Sequence, residues 1–133
     1  LELLGQLFAD RLFDQLRESQ GEAYSPTADA SWPLTFRGGG NFTVSAVVKP
    51  EAVDRFFALV RTIAADFAAR PVPADDLARV QRPQLENIAR FSSGNPFWMG
   101  QLMGATRDPA RIEAMNSLAT DYARITPEEL QAT

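Results

Sequence analysis

From the first residue, the apolar positions Leu1, Leu4, Leu7, Phe8, Leu12, Phe13 and Leu16 fall at the three-to-four spacing of a broad buried helix face, with Asp10, Arg11, Asp14 and Gln15 mostly opposite them. Gly21 stands just beyond the last periodic residue, where a left-handed backbone can stop a helix. Arg17 lies in the final turn, where a cation complements the helix dipole. The period then changes. Ala23 to Trp32 reads as extended, with Pro26 marking a sheet edge or bend, and Asn41 to Val48 alternates Phe42, Val44, Ala46 and Val48 against Thr43 and Ser45. An antiparallel hairpin with a wide loop follows, the loop bracketed by Pro33 and Gly38-Gly39-Gly40. The triplet lacks the lysine and following Ser/Thr of a nucleotide-binding loop and reads as a turn.

The remaining chain is helical in pattern. Glu51 to Ala69 sets Val53, Phe56, Phe57, Val60, Ile63, Ala64 and Phe67 on one face. Pro71 and Pro73 mark a tight connection, after which Asp75 and Asp76 occupy the first turn of a third helix, which Pro83 should kink. Ser92-Ser93-Gly94-Asn95-Pro96 interrupts it, and Phe97, Trp98, Leu102 and Met103 resume an apolar pattern. Trp98 reads as core packing more readily than as a cleft wall. Asp108-Pro109 caps a helix through Arg124 that buries Ile112, Met115, Leu118 and Tyr122, and Thr126-Pro127-Glu128-Glu129 forms a capping box. Two strands against four or five helices give an α+β class.

Hydrophobic residues at 45% and charged residues at 23% are ordinary for a globular chain of 133 residues. Thirteen Lys and Arg against seventeen Asp and Glu leave a net charge of −4, without the basic excess that nucleic acid requires. No stretch approaches the roughly 18 apolar residues of a membrane span. Leu1 begins inside a helical pattern with no cap before it, and Thr133 falls within the first turns of a helix begun at Thr126. The chain therefore reads as a single domain, residues 1–133, cut from a longer one at both ends. Asp10, Asp14 and Glu18 alternate with Arg11 and Arg17 and read as a solvated charged strip.

One stretch carries more than helix grammar. Arg17-Glu18, a glycine three residues on at Gly21, then Ala23-Tyr24-Ser25, all behind a Leu/Phe helix, resembles the second-half domains of the pitrilysin/insulinase family of zinc peptidases. Lys49-Pro50-Glu51, Pro73-Ala74-Asp75-Asp76-Leu77, Arg82-Pro83, Asn95-Pro96-Phe97-Trp98-Met99-Gly100 and Ile125-Thr126-Pro127-Glu128 extend the likeness in order. They are similar to a bacterial branch, the periplasmic zinc proteases related to the enzyme beside pyrroloquinoline-quinone genes. The resemblance implies part of the α/β roll of the pitrilysin/mitochondrial-processing-peptidase type, with about two of its strands here and the others flanking. It also implies that Arg17 and Tyr24, seven apart, reach from the non-catalytic half and contact the peptide.

The departure is as informative. The family's inverted zinc motif needs two imidazoles, and the chain contains no histidine and no cysteine. Zn²⁺ binds those ligands far better than carboxylate alone, so the metal, its water and the general base belong to another domain or subunit. With no Ser/His or Cys/His pair either, this chain alone is expected to be inactive. The implied function is a non-catalytic C-terminal domain of a zinc metallopeptidase, closing over and orienting a peptide bound at a zinc site elsewhere. Its partners would be the peptide and the catalytic half on the same chain or a partner subunit, with a homodimer as a further option and no nucleic acid. The branch implies a bacterial periplasm or cell envelope, with the cytoplasm as alternative. The competing readings are a family-like scaffold or peptide-holding subunit that has lost catalysis, and an unrelated α+β domain.

Overall fold

A computed structural model describes residues 1–18, 23–31, 40–103, 105–106, 108 and 110–133, the side chains of residues 17, 18, 23 and 24 excepted. Its elements run α1 (Glu2–Glu18), β1 (Ala23–Ser31), β2 (Asn41–Val48), a 3-10 turn (Pro50–Ala52), α2 (Val53–Ala69), α3 (Ala74–Phe91), α4 (Asn95–Gln101), α5 (Ala110–Arg124) and α6 (Pro127–Gln131). The two strands pair antiparallel, with Ala28 opposite Val44 and Ala30 opposite Phe42. One sheet face, carrying Ala28, Val44, Ala46 and Val48, packs on the core, and the other bears small polar side chains with Val47 at one end. This is the α+β arrangement that the alternating period of Asn41–Val48 calls for.

Helix α1 supplies most of the core. Leu3, Leu7, Phe8, Leu12 and Leu16 are each 5% exposed or less, and burying a leucine contributes roughly 1.5–3 kcal/mol. Two expected core positions differ: Leu1 is 44% exposed and Phe13 49%. Phe13 shares a stripe with Gln6 and Asp10, while Leu3, absent from the expected face, is 1% exposed. The reason is Gly5. A Cβ built there would lie 2.7 Å from the Ala28 carbonyl oxygen, so α1 rests on the β1 backbone itself. Leu3 lies about 200° around the helix from Gly5, so with Gly5 on β1 it is buried on the side of α1 away from the sheet.

The other side of α1 meets α2 and α3. Phe8 stacks on Phe67 at 5.8 Å between centroids and meets Phe42 edge-on at 5.5 Å. Of the expected α2 face, Phe56, Ile63 and Phe67 are buried, whereas Val53, Phe57 and Ala64 are exposed, because the face that α1 covers is narrower than the apolar stripe. The charged strip on α1 is not simply solvated. Arg11 pairs with Asp66 on α2, its guanidinium 4.4 Å from the Phe67 ring centroid, and Asp10 accepts from Arg79 on α3 at 2.8 Å. Arg70 reaches the same Asp66 at 2.6 Å. Burial raises the Asp66 pKa, but the Arg11 and Arg70 guanidiniums outweigh it and hold the carboxyl below its ordinary value.

Helix α3 runs unbroken through Pro83, which is exposed. α5 fully buries none of its residues, contrary to the expectation for Ile112, Met115, Leu118 and Tyr122. Ile112 is exposed and the other three are half-buried against α3 and its surroundings. Two glutamines fix helix ends by satisfying orphan carbonyls: Gln81 donates to the Tyr122 and Ile125 oxygens at 2.8 and 3.0 Å, and Gln131 to the Ala68 oxygen at 2.9 Å. The capping box at Thr126 and Glu129 forms in full, and α6 closes at Gln131 with Leu130 in the core.

Gly5→Ala should lower unfolding stability by about 1–3 kcal/mol despite alanine's better helix propensity, because the atom it meets is backbone. Denaturant titration checks this, and an unchanged midpoint would mean that α1 and β1 are not in close contact.

Asp66 generates a pH dependence. Its folded pKa lies below the ordinary 3.8, so its contribution is present above that value and is lost as pH falls through the folded value. Asp66→Asn should therefore flatten the acid limb of a stability-against-pH series. A variant that loses stability below pH 4 as steeply as the parent would show that the carboxylate is not held by the two arginines.

Candidate functional site

The two residues singled out by the sequence lie on consecutive elements. Arg17 occupies the last turn of α1, and Tyr24 is the second residue of β1. Both side chains, and residues 19–22 between the elements, lie outside the described residues, as do Gly38 and Gly39 of the glycine triplet. The strand backbone at Tyr24 is described and pairs with Val47. Beyond it the ladder is irregular: Thr27 pairs with Ser45, so Ser25 and Pro26 together oppose Ala46 in a two-against-one bulge. Ser25 has a φ of 48°, the one described non-glycine residue with positive φ. The sequence marks Pro26 as a sheet edge or bend; β1 is an edge of the described two-stranded sheet, and the bulge falls at Ser25–Pro26.

The open sheet face is small and polar. Thr27, Asp29 and Ser31 on β1 stand opposite Ser45, Thr43 and Asn41 on β2, all exposed, with Val47 72% exposed at the end nearest Tyr24. Such a surface offers hydrogen bonds to a polar chain. The composition offers it no Ser/His or Cys/His pair, since histidine and cysteine are absent.

Other candidates are absorbed by structure. Asp75 and Asp76 begin α3, and Asp76 accepts from Arg79 at 3.4 Å. Among the described residues no cluster of three or more acidic side chains could hold a metal ion. The Trp98 indole donates to the Ser92 carbonyl at 2.7 Å and meets Phe97 edge-on, which pins the turn between α3 and α4. Tyr122 donates its hydroxyl to the Glu2 carboxylate. Burial and that negative charge push the phenol far above its ordinary value, so it stays protonated and ties α5 to α1. No helix among the described residues is long and apolar enough to cross a membrane.

One feature went unseen in the sequence. A groove of about 240 Å³ lies between the start of α1, β2, α2 and α6, lined by Leu4, Phe8, Phe42, Phe67, Val72 and Leu130 among others. Its members come from four elements, so no local pattern could group them. Nine residues separate Phe8 from Arg17 along α1, about 13 Å of helix, which places the groove at the opposite end of that helix from Arg17.

The fold recurs in solved structures. The peptidase M16 inactive domain from Pseudomonas fluorescens superposes with a TM-score of 0.80 at 18% identity over 99% of this chain and 32% of that one. The periplasmic protease PqqL from Escherichia coli gives a TM-score of 0.69 at 14% identity over 99% of this chain and 15% of its own. This chain thus spans about a third of the first and less than a sixth of the second. No curated protein matches the chain. The family model described as the peptidase M16 inactive domain matches residues 1–83, from α1 through the hairpin to the middle of α3. With well over half of its length matched by that model, the chain belongs to the peptidase M16 inactive-domain family.

Proposed function

We propose that this domain closes over and orients a peptide cut at a zinc site in another domain or subunit, in a bacterial periplasm or envelope. The observation that carries the reading is the match of residues 1–83 to an inactive peptidase domain in a chain with no histidine or cysteine. A metallopeptidase needs those ligands somewhere, so a member that lacks them has a use in proteolysis only beside a segment that has them. The periplasmic protease that shares the fold supports the compartment.

In this reading Arg17 and Tyr24 face a concave surface on the same side of the domain and hydrogen-bond the peptide backbone near the scissile carbonyl. A guanidinium and a phenol aimed there would orient the substrate and stabilise the charge that develops on the carbonyl oxygen as water adds. The adjoining open sheet face, with Thr27, Ser45 and Thr43, is a polar floor suited to the same extended chain. Zinc would supply the activated water from the other half, and the role of this chain is confined to binding, orientation and charge.

The isolated chain should bind no stoichiometric zinc and release no fluorophore from quenched peptides. Chelator-sensitive cleavage by the purified chain would overturn the division of labour.

In the full-length enzyme, Tyr24→Phe should lower kcat on the order of 10²-fold with a smaller change in KM, because the hydroxyl acts mainly in the transition state. Arg17→Ala should also raise KM, since a grip on the peptide backbone serves both ground and transition states. Arg70→Ala, whose side chain is 72% exposed at the end of α2, is the control and should change neither. Parent-like kinetics in both Tyr24→Phe and Arg17→Ala would reduce the two residues to a helix end and a strand.

A further inference from the structure

We infer that the Ser25–Pro26 bulge sets the face of the sheet to which position 24 belongs, which makes Ser25 a positioning residue for Tyr24; its functional half rests on the substrate-contact reading above. Cross-strand partners share a face, and residues two apart along a strand share a face. Ala28 and Ala30 pair with Val44 and Phe42 on the inner face, and counting back by twos would assign position 24 to that face, beneath α1. The ladder instead advances three residues on β1, from Tyr24 to Thr27, for two on β2, from Val47 to Ser45. Position 24 thereby joins the series of Ser45 and Val47, which are exposed on the open face.

The shift depends on Ser25. Its φ of 48° is a conformation that residues with a Cβ rarely hold unless the surrounding structure imposes it. Here the ladder resumes on both sides, Ala23 with Val48 and Thr27 with Ser45, and leaves Ser25 no regular position. Pro26, half-buried opposite Ala46, has no N–H to leave unpaired and fits the irregular place beside it. Strained backbone one residue from a proposed substrate contact has a use if it presents that contact. It has none if Tyr24 only packs a strand.

The test uses the full-length protein and nitration by tetranitromethane, read by mass mapping of the Tyr24 peptide, with Tyr122, hydrogen-bonded to Glu2, as internal reference. Deleting Ser25 removes the extra residue and leaves Tyr24 two positions before Thr27, still opposite Val47 and on the same face, so this variant should be nitrated like the parent. Ser25→Gly, which takes positive φ without strain, should keep parent-like nitration and peptide turnover, whereas Ser25→Val, β-branched and opposed to that φ, should lose part of both. Should the deletion variant fail to fold, the contrast between glycine and valine decides. A folded deletion variant whose Tyr24 is nitrated about tenfold more slowly than the parent, as for a tyrosine that reacts only through local opening, or glycine and valine variants that behave alike, overturns the inference. Nitration that follows the bulge while Tyr24→Phe leaves turnover intact supports the bulge geometry and overturns the substrate-contact reading alone.

Discussion

Everything else in this domain is arranged around the contact between Gly5 and the Ala28 carbonyl. A helix usually lies on a sheet through its side chains. Here one turn of α1 touches the strand backbone, with no room for a methyl group between them. That contact fixes the rotation of α1, and the rotation decides which of its apolar residues are core. Leu12 and Leu16 then share the sheet side of the helix with Gly5, Leu3 and Leu7 are buried on the opposite side, and Phe13 is left outside.

Charges on the same helix use that rotation. Arg11 and Asp10 point in different directions around α1 and meet Asp66 on α2 and Arg79 on α3. The Asp10 pair is exposed enough to contribute little stability. The Arg11 pair lies over the Phe67 ring and is more sheltered, and it orients α2 where the phenylalanines already hold it. The later helices are held more by hydrogen bonds to helix ends than by burial: Gln81 and Tyr122 fasten α5, which has no fully buried residue.

The last half of α1 carries the buried Leu12 and Leu16, and the start of β1 pairs with the end of β2 through Ala23 with Val48 and Tyr24 with Val47. The loosely covered end, with Met99 and Met103 about three-quarters exposed on and beside α4, lies beyond the stretch matched by the family model.

The sequence alone determined the kind and order of the elements, because helix and strand periods, the capping box at Thr126 and the prolines at helix starts are local signals that tertiary packing did not override. It also lacks histidine and cysteine, the ligands zinc sites favour, whatever the fold, and its motifs from Arg17 to Glu128 indicated the family. Gly5 was legible only as a glycine in a helix, because its reason, the Ala28 carbonyl, lies 23 residues away on another element. The face given to position 24 depends on a register shift set by β2, and the acidic strip became ion pairs once α2 and α3 brought arginine and aspartate beside it. Tertiary structure decided each of these because each depends on which distant backbone lies alongside, a quantity that no local period encodes.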